Sequence, residues 1–89
     1  MSIFAVIAKA EEKNVRGRVT SIIPEGDWFE FKDDVWFVEF KGTSQDLAEK
    51  LGIRSGNVGA GIVIPISNYS GRAPSDTWEW LRAHWPGAS

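Results

Sequence analysis

Apolar and polar positions follow three rhythms along this chain: unbroken apolar runs, strict alternation, and helical spacing. Ile3 to Ala8 is an uninterrupted apolar run ending at Lys9, as expected of a strand buried on both faces at the centre of a sheet. After the polar run Lys9 to Lys13, Asn14 is placed to cap a short helix on which Val15, Val19, Ile22 and Ile23 fall at i, i+4, i+7 and i+8. Gly17 within it costs about 1 kcal/mol relative to alanine, and Pro24 and Gly26 end it. Trp28 to Phe40, WFEFKDDVWFVEF, then alternates with a period of two and reads as a β-hairpin turning at Asp33-Asp34.

The hairpin organises the expected core. Pairing Lys32 with Val35 sets Phe31 opposite Trp36, Glu30 opposite Phe37, Phe29 opposite Val38 and Trp28 opposite Glu39. Phe29, Phe31, Trp36, Val38 and Phe40 then face inward. Trp28, Glu30, Lys32, Val35, Phe37, Glu39 and Lys41 occupy the other side, where Trp28 and Phe37 are diagonal neighbours. The turn is the weak point, because Asp-Asp tolerates positive φ less well than Asn-Gly or Asp-Gly, and a slip of one residue exchanges the two faces.

Thr43 and Asp46 have the spacing of a capping box with Asp in place of Glu. Leu47, Ala48 and Leu51 give the following helix its apolar stripe, and Gly52 with Ile53 ends it as in a Schellman motif. Arg54 to Gly59 reads as a loop. Ala60 to Ser67, AGIVIPIS, is a further strand, placed at a sheet edge because Pro65 cannot donate to a ladder. Asn68 to Pro74 is turn-rich, and Ser75 or Asp76 caps a last helix, Thr77 to Trp85, stopped by Pro86-Gly87. Trp78, Leu81 and Trp85 share one side of that helix, Trp80 and His84 another. The expected fold class is therefore α+β: a single domain, residues 1–89, built as a ferredoxin-like βαββαβ sandwich with sheet order 4-1-3-2 and an additional C-terminal helix.

Composition narrows the function classes. The 89 residues are 43% hydrophobic and 25% charged, enough for one core and no second. Five Trp and five Phe supply much of its burial. The absence of cysteine removes disulfides, thiolate metal sites and thiol nucleophiles. A formal charge of -2 argues against broad attraction to nucleic acid or anionic membrane. The opening MSIFAVIA is too short to span a bilayer and lacks the basic start of a signal peptide, so a cytoplasmic protein is the expectation.

Candidate chemistry is sparse. Phe37-Val38-Glu39-Phe40 matches the tail of the RNP1 motif of RNA-recognition domains, but Asp33, Asp34, Val35 and Trp36 stand where that motif wants a basic residue, glycine, an aromatic and a small residue. Gly56, Gly59 and Gly61 precede a strand, whereas phosphate loops open a helix. Glu11, Glu12, Asp33 and Asp34 form a metal or acid-base site only if the fold brings two of them together. His84, the single histidine, has no Ser or Asp tied to it by spacing and reads as a surface or partly packed residue. Asn68, Tyr69, Ser70 and Arg72 offer donors, an aromatic and a cation just before a helix, a candidate anion-binding cluster. No catalytic, metal or cofactor-binding residue is assigned, and no cofactor is expected.

The segments DWFEFKDDVWFV, TSQDLAEKLGI and IVIPISNYSGRAPSDTWEWL resemble small bacterial ferredoxin-like proteins near the CRISPR-associated Cas2 family, including SinR-like relatives. The resemblance implies a ferredoxin-like fold and a homodimer formed through the sheets. It also implies, for some members, a metal-dependent nuclease using an Asp at the end of the first strand. This chain has Ala8 and Lys9 there, which removes the residue that activity needs. The expected function is a non-enzymatic module that self-associates or binds a protein through an aromatic sheet face, with Trp28, Phe37, Trp78, Trp80 and Trp85 at the interface. The alternative is a Cas2-like nuclease or nucleotide-binding protein, with Tyr69 and Arg72 in binding roles and carboxylates holding Mg²⁺.

Overall fold

The apolar run at the start of the chain forms β1, Ser2–Ala10, and it lies inside the sheet. The structure, a computed structural model, describes residues 2–85. After β1 come α1 (Glu12–Ile22), β2 (Trp28–Lys32), β3 (Val35–Phe40), α2 (Ser44–Lys50), β4 (Ala60–Pro65) and α3 (Ser75–His84). The four strands run in the order β2-β3-β1-β4, with every neighbouring pair antiparallel. β1 is thus central and the Pro65 strand is an edge.

The register explains why the proline is tolerated. Ile66 donates its amide to the Ile3 carbonyl, and Ala5 pairs with Ile64 and Ile7 with Ile62. In an antiparallel ladder hydrogen-bonded and non-hydrogen-bonded pairs alternate, so the amides of Ile62 and Ile64 point to β1 while the Pro65 nitrogen points outward. The ladder loses no bond.

The core lies between one sheet face and two helices. Phe4, Val6 and Ala8 of β1 and Trp36 and Val38 of β3 are buried against Val15 and Val19 of α1, Leu47 of α2, and Leu51 and Ile53 just beyond it. α1 begins two residues before Asn14. Glu11 takes the N-cap position in a left-handed conformation, φ 60° and ψ 45°, without a side-chain cap, and Asn14 sits in the first turn, its side-chain amide donating to the Glu11 carboxylate. α2 carries the full capping box: Thr43 Oγ1 accepts from the Asp46 amide at 3.1 Å, and Asp46 accepts from the Thr43 amide at 3.1 Å. Gly52, at φ 73°, closes the helix while the Ile53 amide reaches the Ala48 carbonyl. Thr43→Ala is expected to cost about 1 kcal/mol, measurable as a lowered urea midpoint.

The hairpin departs from its expected pairing. Lys32 does lie opposite Val35, but the register then shifts, and Glu30 pairs with Trp36, Phe29 with Phe37 and Trp28 with Val38. Phe31 is the extra residue, a β-bulge. The cause is the turn: neither Asp33 nor Asp34 has a positive φ, Glu11 being the one non-glycine that does among the described residues. The primed turns, whose twist matches a hairpin, are excluded, and other two-residue turns splay the strands. The bulge absorbs the mismatch.

Its consequence is that β2 is turned over relative to the expectation. Trp28 packs on the helix-side core, and Glu30 lies beside Trp36 on the same side. Phe29 is carried to the opposite face with Phe37, and Phe31 is 39% exposed. The four residues expected to point inward together are therefore divided, Trp36 and Val38 on one side and Phe29 on the other. Trp28 and Phe37 do not share a face.

α3 covers part of that second face. Leu81 is buried, Thr77 is buried beside it, and the Trp80 ring lies 5.9 Å from Phe29. The expected capping of α3 by Ser75 or Asp76 is not seen. Pro74 holds the N-cap position with no side-chain bond, Ser75 is already helical, and Asp76 accepts from the Thr77 amide next to it. The stop expected at Pro86-Gly87 falls outside the described residues.

Candidate functional site

Three surfaces are candidates, and two of them hold residues that the sequence singles out. At the hairpin turn, Glu12, Lys13, Arg16, Lys32, Asp33 and Asp34 line an open pocket of about 470 Å³. The fold thus brings three of the four candidate carboxylates together, but with three cations among them. Arg16 donates to Glu30 at 2.8 Å and approaches the Asp33 carboxylate at 3.8 Å, while Lys32 lies 3.8 Å from Asp34. Glu30 also accepts from the Trp36 indole at 3.3 Å. Arg16 and Lys32 already engage Glu30, Asp33 and Asp34, so Mg²⁺ would compete with the chain's own cations for these carboxylates.

The second surface surrounds Tyr69. Its ring stacks on Trp78, centroids 5.7 Å apart, and meets Trp85 edge-on at 4.8 Å. These contacts pin the loop before α3 against one side of the helix. Ser70, Gly71 and Arg72 border a groove of about 180 Å³ whose other walls include Phe31, Phe37, Trp78 and Leu81. The lining is largely apolar, and Asp76 in the first turn of α3 opposes an anion there. The structure brings Tyr69, Ser70 and Arg72 together as a neighbourhood without an evident anion cradle.

The third surface is the half of the sheet that α3 leaves bare. Ile7 of β1 and Ile62 and Ile64 of β4 point to the same side as Phe37. Ile62 is 54% exposed and Ile64 41%. Ile7, Lys9, Gly61 and Ile62 border a shallow groove of about 500 Å³ there.

Comparison with family models, with curated proteins and with solved structures finds no match to this chain. Function must therefore be read from these surfaces alone. Of the expected interface residues, Trp28 belongs to the helix-side core, Phe37 is half-buried beneath Phe31, and Trp80 is engaged with Phe29 and with the Gly26 carbonyl, to which its indole donates at 3.0 Å. Trp78 and Trp85 hold Tyr69. All five aromatics serve internal packing to a large extent.

The residues that sequence reasoning did not single out are Ile62 and Ile64. A signal for them existed. In AGIVIPIS both alternating sets are apolar, yet an edge strand has one face under the helices and needs a second apolar layer for the other. The glycines beside that strand are structural: a Cβ on Gly59 would meet the Ala10 carbonyl and Val15 at 2.9 Å, so Gly59 allows the chain to pass close to the end of β1. Among the described residues, no helix is long and apolar enough to cross a membrane.

Proposed function

We propose that the protein is a non-enzymatic interaction module that self-associates through the bare half of its sheet, with Ile7, Ile62 and Ile64 at the centre of contact. The observation that carries this reading is the pair of exposed isoleucines on β4, side by side with Ile7, on a face whose other half is sealed by α3. A contiguous apolar patch on a small domain marks an interface, and twofold dimers are the commonest oligomers. Packing through the face is favoured over edge-to-edge strand pairing, because Pro65 interrupts the free edge.

The same reading takes the fold as ferredoxin-like. Followed from β4, the strand order is 4-1-3-2, and α1 and α2 share one face. The Cas2-type alternative lacks the aspartate that the resemblance would need near the end of the first strand, where Ala8 is buried and Lys9 exposed.

Sedimentation tests the proposal. The unaltered chain is expected to dimerise at micromolar concentration, and Ile62→Asp, or Ile62→Asp with Ile64→Asp, to sediment as a folded monomer. A charge placed on an exposed position should shift stability by no more than about 0.5 kcal/mol, so loss of the dimer would not reflect unfolding. A monomer at all concentrations for the unaltered chain rejects self-association.

A further inference from the structure

At the opposite end of the covered face, Asp27, Glu39 and His84 converge. The Glu39 amide donates to the Asp27 carbonyl at 2.8 Å, so these residues continue the β2–β3 register and stand opposite each other on the face that α3 crosses. Two carboxylates in a directly opposed cross-strand position repel. His84, at the end of α3, is brought over them. One carboxylate oxygen of each acid and one imidazole nitrogen lie within 4.8 Å of one another, and all three side chains are half-buried. None of the three is ion-paired with another among the described residues.

The imidazole is held in a defined way. Its Nδ1 lies 2.8 Å from the Trp80 carbonyl, which can only accept, so Nδ1 carries a proton, and Nε2 is the nitrogen that the neutral ring would offer to a metal. The ring stacks on Trp80 at 4.1 Å. Trp80 is itself anchored by its indole bond to the Gly26 carbonyl, next to Asp27. A histidine whose second nitrogen donates to a backbone carbonyl has the arrangement that orients metal-binding imidazoles.

We propose that Asp27, Glu39 and His84 form a binding site for a divalent transition metal, with Zn²⁺ the best match. One neutral imidazole and two carboxylates suit zinc, which takes three protein ligands and a water. Three atoms no more than 4.8 Å apart can all lie within about 2.8 Å of one point, so closing to the about 2.0–2.2 Å of zinc bonds needs side-chain shifts of up to about 0.8 Å each. The ion would neutralise the opposed carboxylates and join the Gly26–Asp27 turn, β3 and α3. This site is independent of self-association through Ile62.

The test is titration of the untagged protein with ZnCl₂, followed by calorimetry and by the ring resonances of His84, the sole histidine. One ion per chain and a shift of those resonances are expected. Asp27→Asn and Glu39→Gln keep side-chain shape and should each weaken binding at least about tenfold, since even loss of an orienting neighbour costs that much. An unshifted His84 ring overturns the proposal, as does a zinc affinity in both folded variants equal to that of the unaltered chain, which would mean adventitious binding to surface carboxylates. The ring shift in the unaltered chain decides the matter even if a variant fails to fold.

Discussion

Trp36→Ala is expected to remove most of the stability of this protein. Trp36 is fully buried on β3, opposite Val6 of β1 and Glu30 of β2, and packs with the α1 and α2 core. Truncating a buried tryptophan costs about 3–5 kcal/mol, by lost transfer energy and the cavity left behind. A domain of this size has about 4–13 kcal/mol in total. Urea unfolding should show the midpoint collapsing, or a chain already unfolded in water. Phe31→Ala supplies the contrast that isolates the bulge. In an unbroken hairpin Phe31 would face Trp36 inside the core, and its loss would cost as much. On the bulge it is partly exposed and packs on Phe37, ring centroids 5.3 Å apart, so its loss should cost about 1 kcal/mol. Equal, large effects at Trp36 and Phe31 would reject the shifted register.

Leu81→Ala is the second large effect, expected at about 2–5 kcal/mol for a buried leucine. Leu81 is 2% exposed on α3, and with Trp80 on Phe29 it closes the side of the sheet that α1 and α2 do not reach. Its truncation should loosen α3 and uncover Phe29, Phe37 and Ile3, extending the apolar surface that already includes Ile62. Lower stability and concentration-dependent aggregation are therefore expected together. Arg82→Ala, one residue further along and exposed, should change the midpoint little. A Leu81→Ala protein as stable as the unaltered chain would show that α3 does not depend on this contact. The same helix carries His84, so zinc should raise the unfolding temperature by favouring the folded state it binds.

Much of the architecture was legible residue by residue because its signals are local. An apolar run without alternation places a strand inside a sheet, and Ile3 to Ala8 is central, although Ala5 and Ile7 on its second face are only partly buried. Thr43 with Asp46, followed by Leu47 and Gly52, specifies a helix through bonds that span only a few residues. Pro65 lacks an amide, so its strand belongs at an edge, wherever the partners are. The start of α1 was less legible, since Glu11 occupies a left-handed cap position that its side chain does not advertise. The proposed metal site was hardly legible at all. Asp27, Glu39 and His84 come from a turn, a strand and a helix end, and nothing in their spacing relates them until α3 is laid across the sheet.

The chain's own order of residues determined the elements, the central place of β1 and the edge place of β4, because each follows from side-chain periodicity or from a missing amide. Tertiary structure alone decided which way β2 faces and which part of the second sheet face stays bare. The reason is one residue of register. Two aspartates at the turn avoid positive φ, the strands would splay, and Phe31 bulges out to restore pairing, which exchanges Trp28 for Phe29 across the sheet. Alternation specifies two faces but not their orientation, and that choice rests on a turn whose geometry is settled by the strands and helices packed around it.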